Sequence, residues 1–366
     1  MTSDLDTRFM TLALTLGRRG LGNAWPNPAV GAVVVKDGVV VGRGWTQPGG
    51  RPHAEVEALR RAGEAARGAT LYATLEPCSH HGKTPPCVDA IAAAGVSRVV
   101  SALEDPNPEI AGQGHARLKS RGIAVTTGVC APEASRAHAG HIRRLRDGRP
   151  HVTLKLAVSS DGKAGLAGRK PADITGEAAR ERVHLMRAMN DAVVTGIGTV
   201  LADDPQLNVR LPGLGKRSPV RAVLDSTLRM PVHSKLADSA ARTLDWVFVD
   251  EGARPAHEPE LTAAGVEVLR VAGANGRLDL HAVLRALAGR GITRVLIEAG
   301  PILSAAFLAA DLVDEAALFH SPNPLGENAI DALEGMPLTA LTQSPKLRLV
   351  GREQVGTDTL EMFERK

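Results

Sequence analysis

His53-Ala54-Glu55, followed downstream by Thr74-Leu75-Glu76-Pro77-Cys78-Ser79-His80-His81-Gly82-Lys83-Thr84-Pro85-Pro86-Cys87, is the stretch on which the reading of this chain turns. One imidazole (His53) and two thiolates (Cys78, Cys87) make a three-ligand zinc set. A fourth position left to water is the pattern of catalytic rather than structural zinc. Bound Zn2+ lowers the pKa of its water toward about 7. Glu55 lies two residues past His53, at the start of an expected helix over 53–66. From there it reaches the water without ligating the metal, and can carry that water's proton to a leaving amine. Other readings stay open. His80 or His81 would close a structural site as fourth ligand. A lone His-x-Glu is commonly surface helix, and two cysteines at this spacing can simply pack. The proline before Cys78 and the helix expected over 87–94 favour the metal.

Working outward, the first part of the chain alternates helix and strand signals. Phe9, Leu12, Ala13 and Leu16 stand at helical spacing within 6–19. Residues 31–35 and 39–41 are β-branched runs around Lys36-Asp37-Gly38, a hairpin turn signal. Strands are expected at 69–75, 98–102 and 124–129. This order predicts a three-layer α/β sandwich over residues 1–145. The polar, basic run His138–Pro150 predicts a solvated helix and linker at a domain boundary.

The pattern then restarts over 150–366. Strands are expected at 151–159, 192–195, 220–224, 246–249, 266–271 and 294–298, with extended segments at 315–319, 346–350 and 359–363. Thr175 is the expected N-cap of a helix to Asn190, and further helices are expected at 279–288 and 302–310. No internal repeat is present.

Composition sets outer limits. At roughly one domain per ~150 residues, 366 residues predict two domains. Hydrophobic residues are 43% and charged residues 23%, an ordinary globular mix that excludes wholesale disorder. No apolar run approaches the ~20 residues of a spanning helix, so no membrane role is expected. Asp4 and Asp6 precede the apolar stretch and Arg18 and Arg19 follow it, the reverse of a signal peptide, so a cytoplasmic protein is expected. A net charge of +4 with only 2% aromatics does not predict nucleic-acid binding. Three cysteines predict no disulfide framework, and Cys130 is expected to be buried and inert.

His-x-Glu with Pro-Cys-x-x-Cys is the signature of zinc deaminases of nucleobases. Here the gap before the second cysteine is longer. In that form the run resembles the bifunctional deaminase–reductases of riboflavin biosynthesis. Pro26-Asn27-Pro28, Asp105-Pro106-Asn107-Pro108, Leu154-Lys155-Leu156-Ala157, Ser160-Asp161-Gly162, Thr199–Pro205 and Glu298-Ala299-Gly300-Pro301 carry the same resemblance, across nearly the whole chain. It implies a cytidine-deaminase-like sandwich followed by a dihydrofolate-reductase-like α/β domain. It also implies Zn2+ and NADPH as cofactors, a phosphoribosylaminopyrimidine substrate, and a homodimer through the reductase halves. The first domain would hydrolyse the 2-amino group of the pyrimidine. The second would reduce the ribosyl arm to ribityl.

By the same resemblance, His53, Cys78 and Cys87 ligate zinc, Glu55 shuttles the proton and Asn27 touches the pyrimidine. Ala157, Thr199, Asp203, Ser226 and the stretch Gly300, Pro301, Ile302, Leu303, Ser304, Ala305, Ala306 match cofactor positions. Arg187, Leu207, Arg210 and Glu298 match substrate positions. Arg187 and Arg210 are suited to a phosphate, and Gly300 opens a helix N-terminus suited to pyrophosphate. One departure stands out. Where the family shows a serine and a tryptophan before Ile174-Thr175, this chain has Pro171 and Asp173. The competing readings are a nucleobase or tRNA deaminase with a non-reducing accessory domain, and a non-catalytic zinc module.

Overall fold

The computed structural model describes residues 4–170 and 172–366. The chain divides into two compact units, Met1–Arg149 and Pro150–Lys366.

The first unit runs α1 (Asp4–Gly17), β1 (Gly31–Lys36), β2 (Val39–Trp45), α2 (Ala54–Ala62), β3 (Thr70–Ala73), α3 (Cys87–Ala93), β4 (Arg98–Ser101), α4 (Gln113–Ser120), β5 (Ala124–Thr127), α5 (Ala131–Ala137) and α6 (Ala139–Asp147). Its five strands lie in the order β2-β1-β3-β4-β5. The β1–β2 turn places Asp37 and Gly38 at φ 49° and 78°, the primed hairpin turn that the Asp-Gly pair predicts. Strand alternation splits the core into two layers. Ala32, Val34, Leu71 and Val99 pack with α2 and α3. Val33, Val35, Tyr72 and Val100 pack with α1 and α5. Helices on both faces make the expected three-layer sandwich.

Two glycines of β2 bring α2 close to the sheet. A Cβ at Gly42 or Gly44 would sit 2.2 Å from the Ala58 or Ala54 carbonyl oxygen. Gly63, at φ 54°, ends α2 earlier than the apolar spacing suggests. The short, polar α4 gave no periodic signal; its anchors are His115 and Leu118. The basic run becomes α6, closed by Gly148 in the left-handed region. Cys130 is half-buried rather than buried, because it caps α5 at φ 56°.

The second unit runs β6 (His151–Val158), β7 (Lys163–Gly165), α7 (Glu177–Ala188), β8 (Ala192–Gly196), α8 (Ile197–Asp203), β9 (Val220–Leu224), β10 (Asp245–Asp250), α9 (Glu258–Ala263), β11 (Val266–Val271), β12 (Gly273–Ala274), β13 (Arg277–Leu278), α10 (Leu280–Gly289), β14 (Arg294–Ile297), α11 (Pro301–Ala309), β15 (Glu315–His320), β16 (Ile330–Asp331), α12 (Thr339–Thr342), β17 (Leu347–Val355) and β18 (Asp358–Arg365). Nine strands form one sheet in the order β11-β10-β9-β8-β14-β6-β15-β18-β17. The strands from β11 to β15 are mutually parallel, and the last two are antiparallel. β14 inserts between β8 and β6, so the winding direction changes there. Ligands of open α/β sheets bind beyond the carboxyl ends of strands at such a point.

One expected cap is corrected. α7 is preceded by Gly176, whose N–H donates to Asp358 Oδ2 at 2.7 Å, and Thr175 makes no side-chain cap. The cap comes from β18, distant in sequence. Asp279, by contrast, caps α10 by accepting from the His281 N–H at 2.9 Å.

Candidate active sites

The loop after β1–β2 and the starts of α2 and α3 converge in the first unit. His53, just before α2, turns Nδ1 toward both sulfurs, 3.3 Å from Cys87 Sγ and 3.6 Å from Cys78 Sγ. Zn–N and Zn–S bonds of about 2.0 and 2.3 Å at tetrahedral angles put N and S about 3.5 Å apart. The three donor atoms all lie within 4.8 Å of one another, so the set fits zinc as it stands. His80 and His81 are exposed and outside this cluster, which leaves three protein ligands among the described residues.

Charge follows the same geometry. Cys78 Sγ accepts the Cys87 N–H at 3.2 Å. With the Cys87 thiol and His53 also facing it, its pKa is pulled down to about 4. Cys87 is pushed up, because its thiol donates to Cys78 and is buried. Burial lowers His53, but the Cys78 bond and the nearby Glu55 outweigh it and its pKa is raised. Glu55 is 3% exposed, and burial raises its carboxyl pKa. A carboxyl whose pKa is raised holds a proton more readily and is suited to accepting one and passing it on. Asn27 donates to the Gly50 carbonyl at 2.8 Å and sits 3.3 Å from His53 Nε2, at the mouth of the same centre.

Sequence reasoning missed one supporting residue. Glu76 is buried beside Pro77-Cys78, and its carboxylate accepts four backbone N–H groups, from Asp105, Gly112, Gly114 and His115. It fastens the 105–115 segment to the strand end that carries Cys78. A glutamate directly before Pro-Cys was the available signal.

In the second unit, Arg187 of α7 and Glu298 after β14 form a two-pronged pair at 2.6 and 2.8 Å. Burial alone pushes Glu298 up, but Arg187 and Lys155 outweigh it and hold it below the usual carboxylate range. Lys155 of β6 lies close enough to this pair to feel the charges of Glu298 and Arg187. Loss of solvent lowers its pKa against the pull of Glu298. Arg210 is exposed and, among the described residues, donates to the neutral oxygens of Gln206 and Asn208, at 3.3 and 2.9 Å. Leu207 is buried at φ 50° and Asp204 sits at φ 40°. Two left-handed non-glycine residues in one loop cost on the order of 1–3 kcal/mol each and are typical of a site.

A cavity of about 410 Å³ opens beyond the ends of β9, β8 and β14. Thr199, Asp203, Ser226, Gly300, Pro301, Ile302, Leu303 and Ala306 line it. Ser304 and Ala305 do not; they are buried on the inner side of α11, where Ser304 Oγ donates to the Ala299 carbonyl at 3.2 Å. Ala157 packs against the cluster of Ala179, Val183 and Phe319 instead. Pro171 lies outside the described residues, and Asp173 is exposed, 3.6 Å from Arg180. Gly300 to Leu303, at the start of α11, line the cavity, and a helix N-terminus suits a pyrophosphate.

The comparisons now bear on both units. The model of the RibD C-terminal domain matches residues 150–360. That of the cytidine and deoxycytidylate deaminase zinc-binding region matches residues 3–103. The chain belongs to the RibD family. Riboflavin biosynthesis protein RibD of Escherichia coli is 42% identical over 365 residues, covering 96% of this chain and 97% of that one. The Aquifex aeolicus RibD is 38% identical over the full length of both. Among solved structures, Acinetobacter baumannii RibD superposes with a TM-score of 0.87 at 39% identity, covering 99% of each chain. A Thermotoga maritima diaminohydroxyphosphoribosylaminopyrimidine deaminase/5-amino-6-(5-phosphoribosylamino)uracil reductase does so with 0.85 at 36%, again over 99% of each. This RibD-family chain is a bifunctional deaminase and reductase of riboflavin biosynthesis, with zinc and NADPH as its cofactors. The match over 150–360 sets aside a deaminase with a non-reducing accessory domain.

Proposed function

We propose that residues 1–145 form the pyrimidine deaminase domain and 150–366 the reductase domain. The substrate is a phosphoribosylaminopyrimidine, deaminated at its 2-amino group in the first domain and reduced along its ribosyl arm in the second. The observation that carries the first half is the buried Glu55 carboxyl beside one imidazole and two sulfurs that share a corner. Zinc, when held by His53, Cys78 and Cys87, supplies the Lewis acidity that makes water a nucleophile at neutral pH. Glu55 takes the proton from that water and returns it to the departing amine. Asn27 orients the ring.

In the second domain the 2.6 Å pair supports a division of labour between the arginines. Arg187 is committed to Glu298, so the substrate phosphate falls to Arg210. Lys155, beside the Arg187–Glu298 pair, faces the reacting sugar. Gly300–Leu303 would hold the pyrophosphate of NADPH, which would supply the hydride. Thr199, Asp203, Ser226 and Ala306 contact it along the way.

We assign the protein to the cytoplasm and to a homodimer. No helix of the described residues is long and apolar enough to cross a membrane. The edge strand β17 exposes Leu349 and Val350, which supports association through the reductase half. Ammonia release and NADPH oxidation, each assayed on zinc-loaded protein, test the assignment. Both activities are expected. Absence of both in folded, zinc-replete protein would overturn it.

A further inference from the structure

The cavity in the second unit has two cationic ends. At one end, by β7, stand Arg169 and Lys170; at the other, by Ser226, stand Arg229 and Arg277. These ends differ in what already holds them. Arg169 is bound by Glu334 through two contacts of 2.8 and 2.9 Å. Among the described residues Arg229 pairs with Asp225 at 3.8 Å, beyond hydrogen-bond reach, and its side chain is 59% exposed. No partner is shown for the exposed Arg277 guanidinium among the described residues.

Both arginines are nevertheless held in place by the backbone. The buried Asp225 accepts the Met230 N–H at 2.8 Å and so fixes the turn that carries Arg229. Ser226 Oγ donates to the Gly276 carbonyl at 2.9 Å and ties the β12–β13 hairpin, with Arg277, to the end of β9. Two guanidiniums with donors to spare therefore stand at one end of the cavity, beside a hydroxyl whose own proton is given to Gly276.

The sheet order says which part of a dinucleotide meets them. The reacting sugar belongs near Lys155 and Glu298, on β6 and after β14. The helix N-terminus suited to pyrophosphate follows β14. From β6 to β9 the sheet steps through β14 and β8, three strand spacings or about 14 Å. With the nicotinamide at β6 and the pyrophosphate at β14, the adenosine ribose lies beyond β8, at Ser226. NADPH differs from NADH there by one phosphate ester, and clustered guanidiniums are the groups best matched to it.

We propose that Arg229 and Arg277 are the specificity-determining residues for the cofactor, clamping the ribose phosphate that distinguishes NADPH from NADH. The inference rests on the cavity being the NADPH site. Calorimetric titration of the full-length, zinc-loaded protein with NADPH and with NADH, without substrate, tests it. Wild-type protein prefers NADPH. Arg229→Ala and Arg277→Ala each weaken NADPH about tenfold or more and leave NADH unchanged, and the double variant brings the two affinities together. Arg→Lys at either position restores part of the preference, since the charge remains without the fork. Both side chains are on the surface, so melting temperatures stay at the wild-type value. If wild type prefers NADPH and the alanine variants keep that preference, or weaken both cofactors equally, the clamp is wrong and the cavity reading stands. If wild type binds neither cofactor, the cavity reading falls and takes the clamp with it.

Discussion

In the first unit all three donor atoms come from one segment, 53–87, with the imidazole 3.3 and 3.6 Å from the two sulfurs. In the second, Lys155, Arg187 and Glu298 arrive from β6, α7 and the end of β14, and meet only because β14 inserts between β8 and β6. The first centre is compact: its sulfurs and imidazole perturb one another directly, and a cation relieves the strain of their shared charge. The second is an extended polar seam beside an open cavity, stabilised by an internal ion pair. One chain thus carries a site whose chemistry is written in a short motif and another whose chemistry is written in topology.

The sharpest way to break that contrast is Glu55→Gln. Deamination falls by about two to four orders of magnitude, because the proton shuttle is lost. Zinc content and reduction of pre-deaminated substrate stay at wild-type levels, as metal analysis and NADPH oxidation would report. Loss of both activities in folded protein would mean the sites are not separable.

Arg187→Ala probes the second site. It leaves Glu298 buried without its partner, in a pair whose side chains are 13% and 9% exposed. Removing one member of such a pair costs about 3–5 kcal/mol. Thermal unfolding shows the loss and NADPH oxidation ceases, while ammonia release at a temperature below the transition is retained. A variant with unchanged stability would show that the pair serves chemistry alone.

A third test uses pH. Both ring nitrogens of His141, in α6 of the first unit, are shut off from solvent without a partner. Burial, aided by Arg144, lowers its pKa from 6.5 to about 4. The unfolded chain therefore binds the extra proton between about pH 6.5 and 4, and the folded chain does not. Stability is present above pH 6.5 and drains away as pH falls through that window, by about 3 kcal/mol at most. Denaturant midpoints from pH 7 to 4 measure it. His141→Leu flattens the profile, and an equally steep profile in that variant would assign the acid lability elsewhere.

The smallest effect is expected at a helix end. Asp279→Ala removes the one side-chain cap seen at the α10 start and lowers stability by about 1 kcal/mol, with both activities intact. Differential scanning calorimetry resolves a shift of that size.

Much of both units was readable in advance. The Asp37-Gly38 turn, the alternation of β1 and the Asp279 helix start depend on neighbours a few residues away, so local chemistry suffices. The cap of α7 was not readable, because Asp358 supplies it from β18. Nor were Ser304 and Ala305, which belong to the cofactor stretch by resemblance yet turn to the core. Helical periodicity fixes relative directions along α11 but not which side of it meets the cavity. Glu76 was in plain view within the motif, but its four partners lie in the 105–115 segment, so its work as an anchor was invisible until that segment was placed.

Residue types and their spacing alone settled the kind of chemistry: a borderline-soft cation held by one nitrogen and two sulfurs, with a carboxylate set just off it. Those donors are bound by short stretches of chain, and local geometry leaves them few alternatives. Only the folded sheet decided which charges of the second half meet, which arginines stand at the cavity rim and which face of α11 is open. Those outcomes depend on strand order and long-range packing, for which no stretch of sequence carries a local signal.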